Sequence, residues 1–397
     1  MASLVLDIDA GALPDGIAVP PGYDSAVILF RFHERPIDRV NMPVRDGHIT
    51  RAELDAALSP QARYRCSELL VREMLDWHER PAPRRLPTST VAICTRNRPD
   101  DLRRCLEGVA RLHDDGQEVL VIDNCPSNDD SEEVVRSFPG VRYAREPLPG
   151  LNHARNRALK EAHGEIVAFI DDDATPDPGW LRALLPNFSQ PIVMCVTGLT
   201  MPLELEAPAQ IQFESYSTFS RGFYRQTFSG AWQDPLACGN IGSGTNMSVR
   251  REILTLFGGF DNALDAGSAT QSGGDHEMFS RLLIAGHRIV YEPAALNWHR
   301  HRRTYAELEK TIHGYGVGAY SALLRALLVE HEWGALRVAW RWFYHAQSRN
   351  LWRALRRRQG AQPLGLVLAE LRGCARAPFA YWKSIRRLRA MGSQRHA

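Results

Sequence analysis

Cysteine is scarce and unpaired in this chain: seven thiols among 397 residues, an odd number without one CxxC spacing. That argues against a disulfide framework and against a thiolate zinc site, and it favours reduced thiols in a cytoplasm. Long apolar runs are missing too. None approaches the ~18–20 residues that span a bilayer, and the longest, such as Ile166 to Ile170, read as buried strands. The start of the chain, with Asp7 and Asp9 close to its first residue, has neither the basic region nor the apolar stretch of a signal peptide, so export is not expected. Internal repeats, low-complexity blocks and any recognisable nucleic-acid module are absent from the pattern.

What is present is ordinary in bulk and uneven in detail. A hydrophobic share of 44% and a charged share of 24% allow a real core and rule out wholesale disorder. The formal net charge of +2 hides an asymmetry: residues 331–397 hold 14 of the 48 Lys+Arg and 2 of the 46 Asp+Glu, a net +12 on a body of −10. A basic tail of this kind suggests an anionic partner surface.

Three stretches follow from the pattern. Residues 1–85 read as a small α/β module, with strands at Val27 to Phe32 and Val40 to Val44 around a turn at His33 to Pro36, a capping box at Thr50 and Glu53, and a helix from Gln61 to His78. Pro81, Pro83 and Pro87 mark a linker. From about residue 86 to 305, strands at Val91 to Thr95, Glu118 to Ile122, Val141 to Tyr143 and Ile166 to Ile170 alternate with helices opening at Pro99, Ser131 and Asn152. That alternation predicts a Rossmann-like, mostly parallel sheet flanked by helices, with ligands beyond the carboxyl ends of its strands. A further strand is expected at Arg288 to Tyr291, and residues 306–397 read as a helical, basic extension.

The chemistry-bearing residues cluster at the predicted strand ends. Asp171, Asp172 and Asp173 directly follow the apolar strand ending at Ile170; hard oxygen ligands there suit Mg²⁺ or Mn²⁺ with a substrate phosphate. An acidic loop before the next helix, capped by Asp177, is the plainer explanation. Asp123 ends another strand, where it could accept hydrogen bonds from a nucleobase or ribose or simply form an Asx turn. Thr95, Arg96, Asn97 and Arg98 end the first strand and could meet a nucleotide diphosphate. These turns carry neither GxGxxG nor a Walker loop, which disfavours dinucleotide and P-loop chemistry. Asp275, after Gly273 and Gly274 at a helix entrance, could act as a general base or merely as an N-cap. The run Trp298 to Arg303 could bring an imidazole to a metal and arginines to a diphosphate, or form a solvated face.

Taken in order, VAICTRNRPDDL, VLVIDN, GLNHARNRAL, EIVAFIDDDATPDPGWL, GSGTNMSVRREIL, GGFD and GGDHEMFSRLLIAGHRIVYEPAALNWHRHRR resemble the family 2 glycosyltransferases, inverting enzymes with a GT-A fold. The resemblance covers about residues 88–305. It implies that Asp123 reads the nucleotide base, that Thr95, Arg96 and Arg98 surround the nucleoside, and that Arg155, Gly244 and Arg302 lie at the donor. Asp171 and Asp173 would be the outer members of a DxD motif holding Mn²⁺ or Mg²⁺ on the diphosphate, with Asp172 near the ribose or sugar. Asp275 would be the catalytic base, and His299 a histidine near the metal, with adjacent His301 leaving that register open. One departure is visible: Gly274 stands where the family commonly has Glu, so an acceptor contact by that carboxylate is either absent or supplied by Glu277.

The expected activity is transfer of a sugar from a nucleotide diphosphate sugar, with a lean towards uridine, to a hydroxyl of a glycan or lipid-linked acceptor. A noncatalytic nucleotide-sugar-binding scaffold and a metal-dependent nucleotidyltransferase are the alternatives. The aromatic segment Phe213 to Asn246 would shape the acceptor pocket, although ordinary packing accounts for most of its rings. The tail, with Trp352, Phe379 and Trp382 among arginines, suits either peripheral attachment at the inner face of the cell membrane or packing on the catalytic domain. No nucleic acid is expected as a partner.

Overall fold

A computed structural model describes residues 2–77 and 85–393. Its centre is a sheet whose strands are hydrophobic on both faces because helices cover both. The expected alternation is present as Ser89–Thr95, Pro99–Val109, Glu118–Asn124, Asp130–Arg136, Val141–Glu146, Leu151–Glu161 and Ile166–Asp171. The four strands of this run pair in parallel, with Ser89–Thr95 between Glu118–Asn124 and Ile166–Asp171. Of the other half of the sheet, only the strand opening at Arg288 was legible in the sequence. Asn246–Arg250 lies antiparallel between Ile166–Asp171 and Val193–Pro202. Beyond it, Arg288–His299 runs parallel to Val193–Pro202. That last strand extends well past Tyr291: Pro293 cannot donate to a ladder, and the register shifts between Gly198 and Leu199 to pass it before pairing resumes to His299. Two apolar clusters, one on each face, include Phe169, Phe260 and Phe279 on one side and Ile93, Leu106 and Trp180 on the other.

The N-terminal module contains a sheet of Ala2–Asp9, Tyr23–Phe32 and Arg35–Pro43, with the second and third strands forming the expected hairpin. The hairpin turn is tighter than the sequence suggested. Only His33 and Glu34 remain outside the strands, both at positive φ (48° and 64°), and Pro36 is inside a strand. Thr50 and Glu53 make the predicted capping box, and Pro60–Met74 is the longer helix. His78 and the linker prolines Pro81 and Pro83 lie outside the described residues. The module docks through Ser3 N–H to the Leu205 carbonyl (2.8 Å), and through ion pairs from Arg31 to Asp177 (2.6 Å) and from Arg39 to Glu214.

After His299 the chain is helical: Tyr305–Val329, capped by Thr304 and Glu307, then Gly334–Trp342, Ser348–Leu355 and Leu364–Ser393. The first of these helices packs back on the sheet domain, where Ser272 Oγ donates to the Gly314 carbonyl (2.9 Å) beside the entrance to the helix Gly274–Ile284. No helix among the described residues is long and apolar enough to cross a membrane.

Candidate active site

Parallel pairing brings the chemistry to one edge. Thr95 lies opposite Asp123, and Cys94 opposite Asp171, so the three strand ends share a rim. Asp123 is buried. Its Oδ2 accepts from the Tyr143 hydroxyl (2.8 Å), while Oδ1 has no partner, and burial raises its pKa against the opposing effects of Tyr143 and Arg145. A buried acceptor without a donor is the group that an N–H of a bound base would satisfy. The two loops beside it are joined, since Asn97 Oδ1 accepts from both Ser127 N–H and Ser127 Oγ (3.0 Å each). Arg96 is exposed.

The acidic triplet splits into two jobs. Asp172 turns towards the first loop, where Thr95 Oγ1 donates to it at 2.8 Å and Arg98 at 3.1 Å. Asp171, Asp173 and His299 form a cluster whose ligand atoms all lie within 4.8 Å of one another. Arg98 (3.2 Å) and Arg302 (3.3 Å) also approach Asp173. Burial and then Asp173 push the Asp172 carboxyl up to about 7. Burial and Asp173 likewise raise Asp171. Asp173 is held well below its ordinary value because His299, Arg302 and Arg98 outweigh burial. Two carboxylates and an imidazole leave positions open for water and phosphate oxygen, so the donor set fits a hexacoordinate divalent cation, and the imidazole fits Mn²⁺ better than Mg²⁺.

The histidine register is resolved by hydrogen bonds. His299 Nε2 is 3.1 Å from Asp173 Oδ1, and its Nδ1 is 3.0 Å from Nδ1 of His301. His301 Nε2 meets Glu214 Oε1 at 2.7 Å, and Glu214 is in turn paired with Arg39 of the N-terminal module. With Glu214 accepting from Nε2–H, the His301 Nδ1 is a lone pair that takes Nδ1–H of His299; burial would lower the His299 pKa, but Asp173 and Asp171 raise it, so Nε2–H donates to Asp173, and Nε2 offers a lone pair only where a cation displaces that proton. Burial first, and His299 next, lower the His301 pKa, in keeping with a neutral ring. Phe213 and Phe219 pack around both imidazoles (centroids 4.4 Å for Phe213 to His301, 5.2 Å for Phe219 to His299), so these rings are packing residues rather than sugar platforms.

Asp275 is not the N-cap, which is Gly273; it sits in the first turn of the helix Gly274–Ile284. Its Oδ2 accepts from Gly244 N–H and its Oδ1 from His276 N–H, both at 2.8 Å. Although burial alone would raise it, His276, Arg155 and these two amides hold the carboxyl below its usual value, and it is ionised at neutral pH. Gly244 has to be glycine for this contact: a Cβ there would lie 2.6 Å from Arg155 Nη2. Arg155 is buried between carboxylates. Burial would lower its pKa, but Asp265, Asp171 and Asp275 together outweigh it, so one guanidinium feels both the metal-ligand cluster and Asp275. Tyr315, from the C-terminal helix, is raised by burial and by Asp275, Asp171 and Asp173 together.

Glu277 does not take up the role left open by Gly274. It is buried and paired with Arg281 (2.5 Å) and Arg325 (2.9 Å). Cys238 is buried, its thiol 3.2 Å from Ser280 Oγ. Sequence reasoning missed Glu214, Asp265 and Tyr315. None of them stands in a motif, and only the i, i+3 pair Asn152 and Arg155 gave any signal, through their shared helix face (3.2 Å).

Residues 90–254 match the family model described as Glycosyl transferase family 2. The chain is similar to a Pre-mycofactocin glycosyltransferase of Mycobacterium tuberculosis (strain CDC 1551 / Oshkosh), 30% identical over 224 residues that take in 54% of this chain and 43% of that protein. It is also similar to Glycosyltransferase AglE of Haloferax volcanii, 27% identical over 241 residues, 59% of this chain and 73% of that protein. The chain therefore spans less than half the length of the mycobacterial relative. Among solved structures, the mannosyltransferase PcManGT from Pyrobaculum calidifontis, in complex with GDP-Man and Mn²⁺, is similar with a TM-score of 0.52 at 19% identity, covering 80% of this chain and 95% of that one. At that identity the likeness is one of fold.

Proposed function

We propose, for a chain that carries a family 2 glycosyltransferase domain in a GT-A-type fold, that it moves a sugar with inversion from a nucleoside diphosphate sugar to an acceptor hydroxyl. The observation that carries this reading is that Asp171, gathered with Asp173 and His299 at the carboxyl edge of the sheet, and Asp275 both act on the buried guanidinium of Arg155.

Asp123 accepts from the base through its unpartnered Oδ1, and uracil, with one N–H on its pairing edge, is the base we expect. Asp171, Asp173 and the lone pair of His299 would hold Mn²⁺ or Mg²⁺, which when bound supplies Lewis-acid neutralisation of the departing diphosphate. Arg98 and Arg302, now resting on Asp173, are placed to turn to phosphate oxygens once that carboxylate is otherwise satisfied. Asp275 takes the proton of the acceptor hydroxyl as that oxygen attacks the anomeric carbon from the face opposite the nucleotide. Gly244 N–H fixes the carboxylate on one side. No covalent intermediate is required.

The acceptor we infer is a glycan or a lipid-linked sugar at an anionic membrane. Trp333, Leu336, Trp340, Phe343, Tyr344 and Leu355 are all exposed at helical spacing along residues 333–355, Trp333 by 73% and Trp340 by 64%. Arg337, Arg341, Arg349 and Arg353 stand among them and Arg356, Arg357 and Arg358 follow, within residues 331–397 of net +12. An apolar stripe flanked by arginines is the composition of an interfacial helix. It supports a peripheral position at the inner face of the membrane. Flotation with anionic liposomes at low salt tests this, and a full-length protein that stays with the pellet removes the membrane from the reading.

The decisive experiment is a thermal-shift panel of nucleotide sugars with and without Mn²⁺, followed by product analysis of the stabilising donor. Metal-dependent stabilisation and release of nucleoside diphosphate support transfer. Pyrophosphate release would identify a nucleotidyltransferase, and binding without turnover for any acceptor would identify a scaffold.

A further inference from the structure

Position 274 is where the resemblance expects a carboxylate and the chain has none. The structure shows why a side chain is excluded there: a Cβ on Gly274 would lie 2.4 Å from Asn152 Nδ2 and 2.6 Å from Asp265 Oδ2. The volume beside the base is already filled, and one of the two groups filling it is a carboxylate. Asp265 reaches that place from a loop, at φ 79°, a left-handed conformation that glycine adopts freely and aspartate rarely. It is buried, its Oδ2 accepts from Arg155 Nη1 at 2.6 Å, and its Oδ1 accepts from the Ala266 amide at 2.8 Å. Arg155 Nη1 is shared with Asn152 Oδ1 (3.2 Å), and its guanidinium lies over the Phe260 ring (5.4 Å).

We propose that Asp265 fills the space a side chain at position 274 would need, and that it is a positioning residue that holds Arg155 away from Asp275. This rests on Asp275 being the base. Arg155 is buried and always charged, so it must pair with something. Asp265 touches it at 2.6 Å, Asp171 and Asp275 act on it as charges, and Gly244, whose amide bonds Asp275, lies directly against Arg155 Nη2. As long as Asp265 takes the direct contact, Asp275 keeps an oxygen for the acceptor hydroxyl. Without Asp265, the guanidinium turns to Asp275 and occupies the base. Other titratable groups that interact with Asp275 are His276 on its own helix, Arg221, the buried thiols Cys195 and Cys238, and Tyr315 from the helix Tyr305–Val329.

Two measurements on the full chain test this. The first is a melting cycle of Asp265→Gly, Gly274→Glu and the double variant. Each single change lowers the melting temperature, one by orphaning Arg155 and the other by driving a side chain into Asp265. The double variant is destabilised by less than the sum of the two, because the new Glu enters the volume Asp265 vacates and reaches Arg155, while its contact with Asn152 is common to both Glu variants and cancels in the cycle. A double variant destabilised by the sum of the two single shifts overturns the proposal, whether or not any sugar is transferred. The second measurement uses the donor found in the panel and follows nucleoside diphosphate release by Asp265→Asn. kcat falls about a hundredfold with KM little changed, and the acid limb of the kcat–pH profile moves to lower pH, since Arg155 now stabilises the Asp275 carboxylate. A fall in KM-dependent binding alone, or an unmoved acid limb, overturns the positioning role.

Discussion

Arg39 lies in the N-terminal module, three side chains away from the metal cluster, and its replacement by Met should weaken metal binding. The path is Arg39 to Glu214, Glu214 to His301 (2.7 Å), His301 to His299 (3.0 Å) and His299 to Asp173 (3.1 Å). In the parent protein Glu214 is held ionised: burial alone would raise its pKa, but His301 and Arg39 outweigh it. Removing Arg39 leaves a buried carboxylate with His301 as its remaining partner, and losing one member of a buried pair costs about 3–5 kcal/mol. The carboxylate recovers part of this by drawing a second proton onto His301. His301 Nδ1 then becomes a donor, His299 must accept on its own Nδ1, and its remaining proton is fixed on Nε2, the atom that faces the carboxylates. A ligand whose supporting partner fails in this way loses about 10–100-fold in metal affinity. Calorimetric titration of the full chain with Mn²⁺ alone reads that loss directly, and melting curves read the destabilisation. A variant that is destabilised yet binds Mn²⁺ as the parent does would refute the tautomer argument while leaving the ion pair intact.

Three further outcomes follow from other parts of the site. Asp275→Asn should cut turnover by about 10²–10⁴-fold, the usual range for a general base, while Mn²⁺-dependent donor binding in the thermal-shift assay persists; undiminished turnover would remove Asp275 from catalysis. Asn246 is fully buried, accepting from Trp180 Nε1 (2.8 Å) and donating to the carbonyls of Leu199 and Ala295 (2.9 Å each). Asn246→Leu strands these groups and should lower the unfolding free energy by about 2–4 kcal/mol, measurable by urea denaturation. The raised carboxyls of Asp171 and Asp172, the latter pushed up to about 7, bind protons in the folded chain that the unfolded chain releases near pH 4. Metal-free stability should therefore decline as pH rises from about 4 through 7, since the folded state then binds more protons than the unfolded one. Mn²⁺ should reverse that decline at pH 8, and a pH-independent melting temperature in the metal-free protein would contradict the raised values.

How much of this was legible from sequence depended on where each contact closes. The run from Ser89 to Asp171 was readable because each strand is a short apolar stretch bounded by turn residues and each intervening helix has its own start signal, such as Pro99 and Asp130 in the first turns. Asp123, Asp171 and Asp173 could be placed on one rim from that order alone, because parallel pairing aligns the strand ends. Val193–Pro202 and Asn246–Arg250 gave no such signal. The first is buried along its whole length, so it has no alternation, and the second is five residues long between loops. The side chains that tune the site were equally hidden, for a different reason. Glu214 acts through His301, Asp265 through Arg155, and Tyr315 from a helix outside the matched segment, so their roles exist only once distant pieces of chain have packed. Gly274 shows the limit of reading position by position. On the sequence it is a lost carboxylate; in the fold the space is occupied by Asp265, nine residues upstream, in a backbone conformation that no local preference would have suggested.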